Sequence, residues 1–131
     1  MRVLALDYGT ARIGCAISDP SGTLATPLPV IEPSEPRSVA ELVVKHEVER
    51  VVVGLPIHLS GEEGSQAALA RTFTDELQVL LDVPVDTYDE RLTSRMADAS
   101  RRAGSKAARD SLAATHLLEA YLTSQARKGE R

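Results

Sequence analysis

At 131 residues, of which 43% are hydrophobic and 26% charged, the chain has the length and composition of one globular domain, which we expect to span residues 1–131. Its one cysteine, Cys15, excludes an intramolecular disulfide and a cysteine-rich zinc site. Because the sequence has neither a signal-peptide pattern nor an apolar run of membrane-spanning length, we expect a cytoplasmic protein with no membrane partner.

The first third of the chain predicts three strands. Residues 2–7 (RVLALD) and 13–18 (IGCAIS) are short apolar runs separated by a glycine-containing turn, which is the pattern of hairpin-linked strands. A third extended segment covers about residues 23–31, where Pro27 and Pro29 are typical of an edge strand. The sheet is therefore expected to begin antiparallel.

A helix and a buried strand come next in the pattern. Ser34 is a candidate N-cap, with Pro36 in the first helical turn. The continuous apolar run at residues 51–55 (VVVGL) is typical of a strand that is buried on both faces. A helix that leads into such a strand predicts a parallel crossover.

The last half of the chain predicts a helix after a capping box of Ser60 and Glu63, and then a strand at residues 83–88. Two helices follow, at about residues 93–103 and 107–126, with a break at Gly104 and Ser105 between them. The order βββαβαβαα predicts an α/β fold, in which a mixed five-stranded sheet has three antiparallel strands followed by parallel βα units and is flanked by helices.

Two acidic residues lie at predicted strand ends. Asp7 ends the first strand before a glycine, and Glu90 lies just past the fifth strand. Each has an ordinary structural interpretation, because Asp before Gly is common in turns and an acid near a helix N-terminus is favoured by the helix dipole. Either residue is equally consistent with a catalytic role.

Asp110 is more informative because it is in helical register with an apolar stripe. An ionised carboxylate that faces a core is costly unless it is paired or binds a cation. If the helix began at Arg109, however, Asp110 would be an N-cap or first-turn residue. The stripe consists of Ala113, Ala114, Leu117, Leu118 and Tyr121.

The predicted winding brings the three acids together. The first and fourth strands are neighbours, the fifth lies beside the fourth, and the last helix crosses their face. Three carboxylates are hard oxygen ligands that suit Mg²⁺ or Mn²⁺ rather than zinc. Around a phosphate they suggest two-metal hydrolysis, in which one ion activates water and the other stabilises the leaving oxygen.

Charge is unevenly distributed along the chain. The net charge of −4 does not favour a protein that coats nucleic acid by bulk electrostatics. Residues 91–109 nevertheless contain six bases and one acid, and this basic segment is either a nucleic-acid-binding surface or a solvated helix face. Its bases are Arg91, Arg95, Arg101, Arg102, Lys106 and Arg109.

Four groups of residues carry a family resemblance. They are DYGTARIG at 7–14 with SD at 18–19, GLP at 54–56, DERLTS at 89–94, and DSLAA at 110–114. Over essentially the whole chain and in this order, they resemble the bacterial YqgF family, which is associated with Holliday-junction resolution and with nucleases that mature the end of pre-16S ribosomal RNA.

The resemblance implies a ribonuclease H-like fold and a divalent-metal nuclease. It implies that Asp7, Glu90 and Asp110 are the catalytic residues and the metal ligands, with Mg²⁺ or Mn²⁺ as the cofactor. The implied partner is nucleic acid, with precursor ribosomal RNA favoured and branched DNA as the alternative. Ribosomal particles are further implied partners, and the chain would act as a monomer or a homodimer.

The resemblance also implies substrate-binding roles for Arg12, Arg91 and Thr93. His58 is a departure, because many relatives are expected to have a polar amide at this position. A fourth acid, found in several ribonuclease H-like nucleases, has no clear match, and Asp89 is the nearest candidate.

Two other classes of function compete with a nuclease. The Asp-x-Gly-Thr hairpin at Asp7 also resembles the first phosphate loop of sugar kinases and actin-like ATPases, but the sequence contains no second phosphate loop of that kind. A non-catalytic ribosome-assembly or RNA-binding module is the other alternative, although an aromatic content of 3% argues against stacking on single strands.

Overall fold

The computed structural model describes residues 1–93 and 106–129, and it describes side chains for 1–92 and 111–128. These residues form five strands, three α-helices and one 3₁₀ turn. The strands are β1 (Val3–Tyr8), β2 (Ile13–Ser18), β3 (Ala25–Ile31), β4 (Arg50–Leu55) and β5 (Val85–Asp89). The helices are α1 (Pro36–Lys45), α2 (Ser65–Leu80) and α3 (Lys106–Gly129), and the 3₁₀ turn spans Glu90–Thr93.

The five strands form one mixed sheet in the order β3-β2-β1-β4-β5. β1, β2 and β3 are antiparallel, whereas β4 runs parallel to both β1 and β5. This arrangement confirms the antiparallel start and the parallel crossover that the sequence predicts. It also means that β4 separates β1 from β5.

Side-chain alternation gives the sheet two buried faces. Leu6 and Val53 belong to a core that includes residues of α1 and α2, whereas Ala5 and Val52 pack with residues of α3. Because odd positions of β1 face α3, Asp7 also lies on the face that α3 covers. The same alternation places Gly54 of β4 on that face.

Helix α3 crosses the sheet from one edge strand to the other, which is a wider span than the predicted crossing of β1, β4 and β5. The Ser111 hydroxyl donates a hydrogen bond to the carbonyl oxygen of Leu28 in β3, at 2.6 Å. Ten residues later the Tyr121 hydroxyl donates to Asp86 Oδ2 in β5, at 3.0 Å. The first part of α3 is therefore tied to one edge of the sheet, and a later turn is tied to the other.

The predicted N-cap of the first helix is wrong. The N-cap of α1 is Glu35, and its side chain forms no capping hydrogen bond. Ser34 instead donates a hydrogen bond from its hydroxyl to the carbonyl oxygen of Gly9, in the turn between β1 and β2. The Ser34 hydroxyl thus forms a tertiary hydrogen bond instead of the helix cap that the local sequence pattern predicts.

The predicted capping box of the second helix is also wrong. Helix α2 begins at Ser65 after Gly64, without a side-chain cap. Glu63 instead binds the Arg71 guanidinium with hydrogen bonds of 2.5 and 2.6 Å. Glu63 therefore forms an ion pair with the second turn of the helix and does not form the predicted capping box with Ser60.

The two helices predicted after β5 are only partly described. The predicted helix at 93–103 and the break at 104–105 lie outside the described residues, apart from Thr93 at the end of the 3₁₀ turn. Helix α3 is described from Lys106, so four helical residues precede Asp110, and the alternative of an N-cap or first-turn role is wrong. None of the described helices is long and apolar enough to cross a membrane.

Candidate active site

Asp7 and Glu90 lie at the same edge of the sheet. Asp7 is the fifth residue of β1, and Glu90 follows the last residue of β5. Since β1 and β5 both run parallel to β4, their carboxyl ends meet at one edge, where open α/β sheets usually bind ligands. Both side chains are half-buried.

The two carboxyl groups are hydrogen-bonded to each other, which requires one of them to carry a proton. Burial raises the pKa of Glu90 above its ordinary value, and the nearby charge of Asp89 raises it further. The hydrogen bond from Asp7 lowers that pKa but does not offset burial. Without a cation, the structure therefore favours a proton between two acids.

Position 110 directly precedes the residue that ties the first part of α3 to the sheet. Ser111 is tied to Leu28, which lies opposite Cys15 in β2, and Cys15 in turn lies opposite Leu6. Leu6 directly precedes Asp7. At residue 111 helix α3 therefore lies over β3, with β2 between this point and β1, and the Asp110 side chain lies outside the described residues.

The turn between β1 and β2 positions Arg12 beside this edge. Gly9 is required in the turn because a Cβ atom there would lie 2.7 Å from the Arg12 carbonyl oxygen. The Arg12 Nε atom lies 3.7 Å from Glu32 Oε2. On the opposite sheet face, the Tyr8 ring stacks on Phe73 with ring centroids 4.5 Å apart, which anchors the end of β1.

Arg91 lies on the other side of the acid pair, in the 3₁₀ turn. Its Nε and Nη2 atoms donate to Asp89 Oδ2 at 2.8 and 2.6 Å, and its backbone N–H donates to Asp89 Oδ1. These hydrogen bonds lower the pKa of Asp89 and fix the guanidinium at the surface. Thr93 ends the same turn, and its side chain lies outside the described residues.

A cleft of about 400 Å³ opens between this turn and the loop before α2. Glu90, Arg91 and His58 are among its lining residues. The Arg91 Nη1 atom lies 3.5 Å from the His58 carbonyl oxygen, and the imidazole lies over Gly64, where a Cβ atom would be 2.7 Å from Nε2. His58, the departure noted in the sequence, thus forms one wall of the cleft.

The donor set fits a hard divalent cation. Asp7 and Glu90 present carboxyl oxygens to one another, and a cation between them would replace the shared proton. Among the side chains that the structure describes, no three His, Cys, Asp or Glu residues surround a common ion position. A third carboxylate would have to come from the undescribed side chains, and Asp110, the third acid of the sequence analysis, is one of them.

Gly54 is a residue of this site that the sequence analysis missed. A Cβ atom at this position would lie 2.6 Å from Glu90 Oε1 and 3.0 Å from Glu90 Cγ. The available signal was an isolated glycine within the apolar run of a buried strand, which often marks close approach of another group.

The family model described as "RuvX: Holliday junction resolvase" matches residues 1–124. The chain belongs to this family. RuvX is the YqgF family that the four motifs resemble, so that prediction is confirmed, and membership places the chain in a family of enzymes that hydrolyse phosphodiester bonds.

Relatives and solved structures agree with the RuvX assignment. Proteins named "Putative pre-16S rRNA nuclease" from Desulforudis audaxviator and a Roseiflexus species are 43% and 42% identical to this chain, covering 95% of it and 96% and 95% of their own lengths. The structure titled "T. thermophilus RuvC in complex with Holliday junction substrate" superposes with a TM-score of 0.65 at 18% identity, covering 98% of this chain and 96% of that one. The predicted ribonuclease H-like fold is confirmed.

Proposed function

We propose that the chain is a divalent-metal-dependent nuclease that acts in the cytoplasm and matures the 5′ end of pre-16S ribosomal RNA. The observation that carries the proposal is the hydrogen-bonded pair of Asp7 and Glu90 at the carboxyl edge of the sheet. Together with Asp110, these residues would hold Mg²⁺ or Mn²⁺ and act as the catalytic residues. When bound, the cations supply an activated water and charge stabilisation for the leaving oxygen.

The arginines on either side of the acid pair would bind the substrate. Asp89 holds the Arg91 guanidinium at the cleft, and Arg12 projects from the turn that follows Asp7. Arginine suits this role because its planar donors match phosphate oxygens. Thr93, at the end of the turn that carries Arg91, would add a hydroxyl contact.

Precursor ribosomal RNA is the favoured substrate because full-length relatives carry that name. Junction resolution is the second candidate, because the family model and the T. thermophilus RuvC complex both name a Holliday junction. Cutting a four-way junction symmetrically requires two coordinated active sites, and hence a homodimer. For either reaction, residues 1–131 would form one catalytic domain. Ribosomal particles would be partners in the processing of ribosomal RNA. Membership of the RuvX family argues against the alternative of a sugar kinase or an actin-like ATPase.

The test is to incubate the purified chain with precursor 16S ribosomal RNA and with a synthetic four-way junction side by side, with Mg²⁺, Mn²⁺ or EDTA. We expect metal-dependent cleavage of the RNA at a defined site and none in EDTA. The Glu90→Gln variant is the negative control for a contaminating nuclease. Cleavage of the junction alone would reverse the order of the two candidates, and binding of RNA without cleavage would favour the non-catalytic module.

A further inference from the structure

The strand order places Asp7 and Glu90 at the ends of strands that are not neighbours. Asp7 is in β1 and Glu90 follows β5, and β4 lies between these strands. Two interstrand spacings amount to about 9–10 Å, which is too far for direct contact between side chains that stand perpendicular to the sheet. The two carboxyl groups are nevertheless hydrogen-bonded, so one of them must extend over β4.

The side chain that extends over β4 is Glu90, and it lies above Gly54. A Cβ atom at Gly54 would be 2.6 Å from Glu90 Oε1, 3.0 Å from Glu90 Cγ and 3.1 Å from Leu117 Cδ2. Nonbonded carbon contacts are optimal at about 3.5–4.0 Å, so these distances leave no room for a side chain. Glu90 occupies the space that a Cβ would fill.

Backbone conformation does not explain the glycine. Among the described glycines, positive φ angles occur at Gly22 and Gly61, whereas Gly54 lies within a regular strand that pairs with both of its neighbours. Any residue could adopt the Gly54 backbone, and a β-branched residue would favour it. The requirement at position 54 is therefore steric.

We propose that Gly54 is a positioning residue, whose missing side chain lets Glu90 cross β4 and meet Asp7. The inference rests on the proposed function, in which these two carboxylates hold the cations. In Gly54→Ala, Glu90 must move by up to about an ångström to relieve the contact. A displacement of that size at a reacting centre lowers activity by about 10²-fold.

The experiment compares Gly54→Ala with wild type in three measurements. They are the affinity for Mn²⁺ by calorimetry without nucleic acid, kcat and KM for RNA cleavage, and the melting temperature in EDTA. We expect weaker Mn²⁺ binding and an approximately 10²-fold lower kcat, with little change in KM because the arginines are not displaced. We also expect a melting temperature lower by roughly 3–10 °C.

A double-mutant cycle in EDTA assigns the effect to Glu90. In a Glu90→Ala background the two shortest contacts disappear, so Gly54→Ala should leave the melting temperature nearly unchanged. An equal loss of melting temperature in both backgrounds would assign the contact to Leu117 and overturn the inference. If Gly54→Ala alone fails to fold, recovery of folding in the double variant supports the inference, and failure of both overturns it.

Gly64→Ala is the matched control for the binding measurement, because the new methyl group would meet His58 and not Glu90. It should bind Mn²⁺ like wild type. Unchanged Mn²⁺ affinity and kcat in Gly54→Ala would also overturn the inference. Should wild type itself neither bind Mn²⁺ nor cleave RNA, the proposed function fails, while the cycle in EDTA still decides whether Gly54 positions Glu90.

Discussion

The carboxyl group of Asp7 is fixed by the residues around it. The strand that carries it is paired on both sides, and the next residue, Tyr8, is stacked on Phe73. The Asp7 carboxyl is hydrogen-bonded to Glu90, and an amide of the same shape can also form a hydrogen bond at this position. Charge can therefore be removed from this position without removing the hydrogen bond.

We expect Asp7→Asn to keep the fold and to lower cleavage by about 10³-fold or more, because the loss of a ligand charge removes several kcal/mol of stabilisation at the metal. Circular dichroism and a cleavage assay measure the two properties. Asp19→Asn is the matched control, because Asp19 caps the turn at the opposite end of β2. Substantial activity in pure Asp7→Asn would exclude Asp7 from the catalytic role.

The raised pKa of Glu90 predicts a pH dependence of stability. The folded protein holds the Glu90 proton more tightly than the unfolded chain does, so this group's contribution to the free energy of unfolding declines as pH rises from the ordinary value of 4.5 through the raised pKa. Glu90→Gln removes this contribution. We expect the variant to gain stability relative to wild type as pH rises through that window in EDTA.

Melting temperatures of both proteins across a pH series measure the effect, with Glu119→Gln as a control for an exposed acid. Mg²⁺ should stabilise wild type more at neutral pH than at acid pH, because the cation competes with the proton. Identical pH profiles for wild type and Glu90→Gln would contradict the prediction.

At the residue scale, sequence patterns predict the acids but not the group that lets them meet. Asp7 and Glu90 can be placed at strand ends because the strands have clear apolar runs. The role of Gly54 depends on a contact with Glu90 across a neighbouring strand, and a contact of this kind leaves little local pattern. The hydrogen bond of Ser34 to Gly9 was missed for the same reason.

Helix α3 is the element that determines how the site is covered. Its hydrogen bonds to Leu28 and to Asp86 tie it to opposite edge strands, while Leu117 packs above β4. Because the helix is described from Lys106, position 110 lies beyond its first turn, four residues before the buried Ala114. From this register we expect an acid at 110 to require a counter-charge.

We predict that Asp110→Asn raises the melting temperature of the metal-free protein although it abolishes activity, because the three carboxylates of the proposed site would repel one another. Mg²⁺ should raise the melting temperature of wild type but have little effect on Asp110→Asn or Asp110→Ala, since a ligand stabilises only the state that binds it. Thermal unfolding with and without Mg²⁺ makes the comparison.

Glu119→Gln, an exposed acid on the same helix that pairs with His116, is the control for removal of a surface charge. It should respond to Mg²⁺ like wild type. Equal Mg²⁺ responses in all variants would rule out Asp110 as a ligand.

At the element scale, the strands and their order follow from the sequence, but the helix starts do not. Long apolar periodicities identify elements whatever their partners are. Caps depend on single side chains, and Glu63 forms an ion pair with Arg71 instead of a cap. The loop before α2 is held by a bridge between Ile57 and Glu63, which a pattern of helix caps does not predict.

For the molecule as a whole, charge placement matters more than net charge. A chain of net charge −4 must bind nucleic acid through a local surface. Arg91 is the described side chain of the basic segment that lines the cleft, whereas Arg101 and Arg102 lie outside the described residues. The basic segment begins one residue after Glu90, so bound phosphates would lie next to the acid pair.

Neutralising Arg91, Arg101 and Arg102 together should weaken RNA binding and reduce the slope of log affinity against log salt by up to about 3, since each phosphate contact contributes roughly one. Affinities measured across a salt series give the slope. The control is Arg2 with Lys45, which precede the starts of β1 and β4 at the opposite edge of the sheet. An unchanged slope in the triple variant would show that the basic segment is only a solvated surface.

The position of β4 between β1 and β5 has a consequence for protein synthesis. The ribosome releases Asp7 first, within a hairpin that can form early from local contacts. Its partner Glu90 is synthesised later, and Glu90 reaches Asp7 only after β4 has been inserted between β1 and β5. The acid pair therefore forms only in a chain whose sheet is complete through β5, and a partly synthesised enzyme would be unable to cut the ribosomal RNA beside it.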